Sequence, residues 1–348
     1  MRHLLCPLVL VLSPALASAQ PDKNRATPAD KAVEKALDYL SKAQSKTDGA
    51  WHLQSTKSPA ATALAVMAFL SAGHVPGEGK YGEVVEKGIR FVMKQQHPNG
   101  LIGANHGHEM YHHGICTLML AETAGMVEGS LAKDVRQSLK KAVELTLQAQ
   151  RSSGEERGGW RYHVKHDDGS DMSVTGWQVM SLRAAKNVGC DVPQTAIKNA
   201  VDYIQRCQDP QSGGFGYMPR QGTTIPCTGT GILALELCGK DLHRSPELLK
   251  AGAVLLKNPP AWGDGYFYYK IYYCTQATFQ LGDNYWNFYG QKVKEVLTAH
   301  QQPNGAWEGG GSDSTQGPAY CTAMAVLALT VEYRFLPIYQ REEPRGKK

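Results

Sequence analysis

The sequence predicts an all-α fold, in which six hairpins of one outer and one inner helix close into an α6/α6 barrel. Three observations carry this. Five amphipathic segments each finish in a glutamine that stands a few residues before glycine and a large apolar residue. The segments between them are rich in Ala, Gly, Thr and Cys and apolar nearly all round, the texture of buried helices. Aligning Thr62, Gly114, Thr175, Thr228, Thr275 and Thr322 gives repeats of 52, 61, 53, 47 and 47 residues, and six units is a closed count.

The first segment is set apart from the repeats. Met1-Arg2-His3 is a short basic start, Leu4 to Leu12 is an apolar run containing Pro7, and Ala17-Ser18-Ala19 has the small-x-small spelling that signal peptidase cuts. Residues 1–19 are therefore expected to be a signal peptide cleaved near Ala19, since the run is too short to cross a bilayer of about 30 Å. No run of 18 or more apolar residues follows, so the remaining chain is expected to be secreted or periplasmic, with no transmembrane segment after cleavage. The layout expected from this is 1–19 signal peptide, 20–29 N-terminal extension, 30–335 a single toroid domain of six repeats, and 336–348 a C-terminal tail.

The outer helices follow in order. Ala29 to Gln44 places Val33, Ala36, Leu37, Leu40 and Ala43 on one stripe and ends in TDGAW. Glu83 to Gln96 ends in HPNGLIG, Val135 to Gln150 in GGWRY, Thr195 to Gln208 in SGGFGY, and Lys292 to Gln302 in PNGAW. A sixth, Pro246 to Leu256, is a degenerate copy that runs into NPPAWGDG. The inner helices are delimited at both ends. Pro59, Pro226 and Pro318 sit where a first turn tolerates proline, and Gly73, Gly125, Gly189, Gly239 and Gly282 lie just past the last turns. No strand is expected.

Composition narrows the class. Hydrophobic residues at 42% and charged residues at 20% describe a globular chain and exclude collagen, coiled coil and polar linker. The net charge of +5 is spread along the chain, and the basic cluster is the terminal Arg345, Lys347 and Lys348, so no nucleic-acid partner is expected. Seven cysteines follow Cys6, an odd number with no CxxC, so buried free thiols are the simpler reading, although one or two bridges could form in an oxidising compartment.

Gln followed by Gly-x-Trp at the hairpin turns, as in QSKTDGAW and QQPNGAW with looser copies at GGWRY and GGFGY, resembles the α/α toroid repeat of squalene cyclases and protein prenyltransferases, here in a secreted bacterial form. The resemblance covers about residues 30 to 335. It implies that the turn Trp or Phe packs between neighbouring outer helices while the Gln amide bonds backbone groups freed at helix ends. It says little of chemistry, since one architecture hosts unrelated activities.

The activities of such toroids can be tested against the residues. The resemblance to class II terpene cyclases implies an acidic DxDD stretch opening an inner helix, and this chain has Asp167-Asp168-Gly169-Ser170-Asp171. Asp168 and Asp171 are thus the catalytic candidates, with Asp171 or Ser173 equally readable as the helix N-cap. Protein prenyltransferases imply an Asp-x-Cys zinc site, which is absent. Cys227, Cys274 and Cys321 are expected at one level on adjacent inner helices as small packing residues. His108-Glu109-Met110-Tyr111-His112 spells HExxH, the zinc-hydrolase pattern, with His108 and His112 as a weak alternative metal pair; an all-helical context without a neighbouring sheet speaks against it. For sugar cleavage, which needs paired carboxylates, Asp168, Asp171, Glu109 and Asp313 are the candidates near inner-helix mouths.

These residues support two readings. The favoured one is a binding or scaffold toroid with a central cavity for a small apolar or aromatic ligand, isoprenoids included, or with a rim for a partner protein. Tyr111, His112, His113, Trp177, Tyr272, Tyr273 and Tyr320 are the expected cavity residues, and no cofactor or metal is expected. The other is a terpenoid cyclase-like enzyme with a diverged acidic motif, and a zinc hydrolase using HEMYH is a distant third.

Overall fold

The computed structural model describes residues 26–165, 169–239, 241–309, 311–313 and 315–340. Residues 1–19 and the catalytic candidate Asp168 lie outside the described residues. Twelve α-helices alternate along the described chain. The outer set is α1 (Pro28–Ala43), α3 (Gly82–Lys94), α5 (Gly129–Ala149), α7 (Gln194–Arg206), α9 (Pro246–Lys257) and α11 (Asp283–Ala299). The inner set is α2 (Pro59–Ser71), α4 (Glu109–Thr123), α6 (Met172–Asn187), α8 (Ile225–Cys238), α10 (Phe267–Leu281) and α12 (Pro318–Leu329). Each inner helix packs on the next, and α12 packs back on α2, so the inner ring is closed.

The two sets differ as their patterns require. Every residue of α2 is buried, whereas α1 buries one stripe from Ala29 to Leu40 and exposes its charges. The first turn of α1 is fixed by a capping box between Thr27 and Asp30 with Pro28 just inside it, and Pro59, Pro226 and Pro318 lie in the first turns of α2, α8 and α12. The packing partner is a finer point. Helices α2, α4 and α10 rest chiefly on the outer helix that follows them, α6 and α8 about equally on the outer helices before and after, and α1 rests chiefly on α12, so the first outer helix completes the last unit. Two other boundaries depart from expectation. Helix α11 begins at Asp283 and not at Lys292, taking in the aromatic NYWNFY stretch, and two small antiparallel hairpins occur, Trp51–Leu53 with Thr56–Ser58 and Phe215–Gly216 with Thr223–Thr224.

Glutamines stitch the outer ring. Gln44 Nε2 donates to Gly49 O in its own turn at 3.0 Å and to Val84 O of α3 at 2.8 Å. Gln96 does the same for Gly100 O and Ser138 O, Gln150 for Gly158 O and Ala196 O, and Gln208 for Gly213 O and Glu247 O. In the last repeat the stitching residue is Gln301, not the expected Gln302, and its second bond goes to Ala32 O of α1 at 2.8 Å, which closes the ring. Among the described residues the seam between α9 and α11 has no glutamine bond; Asn258 stands in the glutamine's place and donates to Val254 O of its own helix, and the Tyr285 hydroxyl of α11 donates to Leu249 O of α9 at 3.0 Å instead.

The turn aromatics lock each hairpin. Trp51, Trp160 and Trp307 are fully buried, and each indole N–H donates to a carbonyl of the preceding outer helix, Leu40, Thr146 and Leu297 respectively. Their backbone N–H groups donate to the hydroxyls of Thr62, Thr175 and Thr322, and Phe215 N donates to Thr228 in the same way. In the second repeat His113 Nδ1 takes this part for Ile102 N at 3.3 Å, so the residue equivalent to Thr62 is His113 and not Gly114. The degenerate turn fails to dock. Trp262 stays 39% exposed, stacked on His300, and the Thr275 hydroxyl is buried without a partner.

Candidate functional site

The inner helices all begin at one face of the ring, and that mouth is where their N-terminal residues converge. Asp171 is the N-cap of α6: its Oδ1 accepts Val174 N–H at 3.0 Å and the Ser173 hydroxyl at 2.6 Å. Its Oδ2 is buried with no hydrogen-bond partner among the described residues. Burial raises the Asp171 carboxyl above its ordinary value, outweighing the lowering by Ser173, Val174 and Arg161. The Tyr111 hydroxyl of α4 bonds Ser173 Oγ. Because Ser173 spends its own proton on Asp171, Tyr111 is the donor, which leaves its oxygen free to accept.

Four more tyrosines share this bowl. Tyr162 and Tyr217, from the turns that lead into α6 and α8, join hydroxyl to hydroxyl, and Arg161 lies 4.8 Å over the Tyr162 ring. Tyr269 of α10 bonds Thr230 at 3.2 Å, and Tyr320 opens α12. All five, Tyr111, Tyr162, Tyr217, Tyr269 and Tyr320, are half-buried. Burial first, and then Asp171, Tyr111 or Asp313 nearby, holds the Tyr217, Tyr269 and Tyr320 hydroxyls well above the ordinary phenol range, so they remain protonated donors.

Below the bowl the lumen is filled. Trp177 of α6 stacks on Tyr272 of α10 at 5.2 Å and meets Tyr273 edge-on at 5.3 Å, although α8 stands between these helices in the ring. Such contact across the ring leaves no open channel at that level. Trp177, Tyr272 and Tyr273, expected at the cavity, are 1%, 1% and 0% exposed and pack on one another inside the ring. The far end is closed by the chain's own strap, where Tyr339 bonds the Tyr272 hydroxyl at 2.6 Å and Ile338 N–H donates to Glu122 Oε2 at 3.2 Å.

Among the described residues the histidines of this stretch are taken up by packing and stacking. His113 is fully buried between α4 and α5, its Nε2 3.0 Å from Thr146 Oγ1 and 3.1 Å from Ala142 O, and burial pushes it down to about 4. His112 stacks on His106 at 4.5 Å against the Gly103 loop and is pushed down to about 3 by burial, then by His106 and His108. His108 precedes the helix in a left-handed conformation (φ 57°) and stacks on Tyr162 at 4.1 Å, so the HExxH spacing never becomes one helix face. No group of three or more His, Cys, Asp or Glu among the described residues is arranged to hold a metal ion.

The remaining acid candidates are occupied by backbone. Glu109 Oε1 accepts Val164 N–H at 3.1 Å and lies 4.0 Å from His163. Asp313 caps the start of α10 through Tyr268 N at 3.3 Å. All seven described cysteines are free, and burial pushes Cys227 up to about 11 and Cys274 up to about 12, so neither offers a thiolate. A polar depression of about 340 Å³ lies beside Lys94, His97, Asn105 and His106, in the loop that leads into α4.

A family model described as the prenyltransferase alpha-alpha toroid domain matches residues 156–330, just over half of the 348-residue chain. The chain belongs to that family. No curated protein sequence matches this prenyltransferase-type toroid. Among solved structures it is similar to an inactive double-aspartate variant of an alpha-1,6-mannanase from Salegentibacter in complex with alpha-1,6-mannotetrose, at 13% identity, covering 89% of this chain and 100% of that one with a TM-score of 0.65. It is also similar to a type II terpene cyclase from Scytonema in complex with geranylgeranyl dihydroxybenzoate, at 15% identity, with 89% and 98% covered and a TM-score of 0.59. A cellobiose 2-epimerase from Bacillus thermoamylovorans aligns at 11% identity, with 87% and 99% covered and a TM-score of 0.62. These likenesses establish the toroid architecture. No helix among the described residues is long and apolar enough to cross a membrane.

Sequence reasoning named Tyr111, Tyr320 and Asp171 but missed Tyr162, Tyr217, Tyr269 and Arg161. A signal for two of them was present. Trp160-x-Tyr162 and Phe215-x-Tyr217 repeat one spelling in consecutive turns, with the first aromatic buried and the second turned to the bowl.

Proposed function

We propose that this toroid is a binding protein whose mouth holds a small ligand, stacked on tyrosine rings and hydrogen-bonded to their hydroxyls. The observation that supports this reading is the convergence of five half-buried tyrosines around the buried carboxyl of Asp171, at the end of the ring opposite the C-terminal strap. The bowl is aromatic enough to stack a flat or apolar face and polar enough to orient it. The reading also takes residues 30–335 as one toroid domain, exported after cleavage near Ala19.

The test is native mass spectrometry of the purified protein, followed by denaturing extraction of what co-purifies. A stoichiometric small molecule that is lost in Tyr111→Phe at unchanged melting temperature supports the reading. A protein that is empty, and whose melting temperature responds to neither an oligosaccharide nor an isoprenoid alcohol, sinks it.

A second reading rests on the raised Asp171 carboxyl, an acid whose charged form burial disfavours beside aromatic rings, as it would for a diverged terpenoid-cyclase-like acid. Its difficulty is depth. A long isoprenoid would need the space that Trp177, Tyr272 and Tyr273 fill, and it would cover tyrosine hydroxyls with hydrocarbon at about 1–3 kcal/mol for each left unpaired. If Asp171 is that acid, Asp171→Asn abolishes turnover of geranylgeraniol without moving the melting temperature. A variant that still turns over excludes it.

A further inference from the structure

Three inner helices lack a side-chain cap: α12 follows a glycine, Gly317, whereas α4 and α10 each follow a large residue in the left-handed conformation and face each other across the mouth. Helices α2, α6 and α8 are capped by the side chains of Ser58, Asp171 and Thr224. Helix α4 instead follows His108 (φ 57°) and α10 follows Tyr266 (φ 52°), both left-handed and both without a side-chain cap bond. Among the six inner helices α4 and α10 are three places apart, hence opposite.

Neither position suits its residue. The left-handed region strains a tyrosine more than a histidine, and Asp or Asn at either position would both tolerate it and supply the cap. The freed backbone groups are satisfied from neighbouring repeats instead. Tyr162 O accepts Met110 N–H at 3.0 Å and Asp313 Oδ2 accepts Tyr268 N–H at 3.3 Å. With capping delegated, His108 and Tyr266 stand out at the rim, Tyr266 at 63% exposure and His108 stacked on Tyr162 at 4.1 Å. Three residues into each helix comes a bowl tyrosine, Tyr111 in α4 and Tyr269 in α10.

Resting on the binding reading above, we infer that the ligand is a neutral saccharide chain lying across the mouth, with Tyr266 and the His108–Tyr162 stack as platforms at its two ends. The chemistry selects this class. Sugar rings present C–H faces to aromatic planes and hydroxyls to the Tyr111, Tyr217 and Tyr320 oxygens beneath. A hydrocarbon would leave those hydroxyls unpaired, and a strongly anionic ligand would meet the Asp171 carboxyl with Arg161 as the cation placed beside the bowl tyrosines among the described residues. Two opposite platforms suit an extended chain better than a compact monosaccharide.

The experiment is isothermal titration of the purified protein with cellotetraose, xylotetraose, mannotetraose and maltotetraose, with farnesol as the apolar comparison. The probe variants are Tyr266→Ala and Tyr266→Gly. Glycine keeps the left-handed backbone at no steric cost, so Tyr266→Gly holds or raises the melting temperature and separates a ligand platform from a structural part. The expected result is that at least one tetrasaccharide binds and that both variants weaken it tenfold or more. Binding of no tetrasaccharide, or binding that ignores Tyr266→Gly, overturns the inference. If farnesol binds and Tyr111→Phe removes it, the bowl remains a binding site and only the saccharide class fails; if nothing binds, both readings fall together.

Discussion

Thr228 and Thr275 occupy the same place in successive inner helices, yet only one has work for its hydroxyl. Thr228 Oγ1 accepts Phe215 N–H at 3.0 Å and donates to Thr224 O at 2.7 Å, whereas Thr275 Oγ1 is buried with no partner. Thr228→Val should therefore cost about 1–3 kcal/mol, because it leaves a buried N–H unpaired, while Thr275→Val should be neutral or stabilising. Urea unfolding of the two variants checks this, and equal losses would refute it. Asp171 gives a second contrast. Asparagine keeps the N-cap oxygen and alanine loses it, so Asp171→Ala should cost about 1 kcal/mol and Asp171→Asn only a few tenths. At this scale the sequence was partly legible. The cap reading of Asp171 follows from its place before α6, but no pattern in the sequence tells an inner-helix aromatic that fills the lumen, such as Trp177, from one that lines a bowl, such as Tyr111. Both sit on helices buried nearly all round, and the difference lies in how far side chains from across the ring reach.

At the scale of elements, the repeat's spelling was the most legible feature because its parts act between neighbours. A turn glycine must let the chain touch the next outer helix: a Cβ on Gly158 would lie 1.9 Å from Asn199 O, at φ 92°. Gly158→Ala should destabilise by more than about 1 kcal/mol through strain and clash together, and a melting temperature equal to the parent's would contradict this close approach. The glutamine bond crosses the same seam. Between α9 and α11 the Tyr285 hydroxyl bond to Leu249 O replaces it, but Trp262 stays undocked in the adjoining turn, which makes that turn the expected first point of opening. Hydrogen exchange should be fastest for residues 258–266 and the facing turns of α9 and α11, and slowest where Gln44, Gln96 and Gln150 stitch. Uniform protection around the ring would show that the glutamine bonds carry little. The degenerate repeat was readable as such from NPPAWGDG alone, but its consequence for Trp262 and Thr275 needed the fold, because it concerns a partner that is missing.

The whole ring is closed by its ends, with α1 completing the last unit and the strap from Leu336 to Tyr339 sealing the face opposite the mouth. That seal contains a carboxyl. Glu122 of α4 is 1% exposed, and burial pushes it up to about 8, only partly offset by the Ile338 N–H that it accepts. An ordinary glutamate has a pKa of 4.5, so the folded protein holds this proton across a range in which the unfolded chain has lost it. Stability from Glu122 is therefore fully present below pH 4.5 and declines as pH rises towards about 8, where the buried carboxylate forms. Glutamine keeps an oxygen for Ile338 and has no proton to lose. Glu122→Gln should match the parent near pH 5 and exceed it increasingly up to pH 9, with the strap's exchange protection and the melting temperature rising together. A difference between the two proteins that does not change with pH would mean that the strap is held by Tyr272, Gln280 and packing alone, with Glu122 a bystander in its seal.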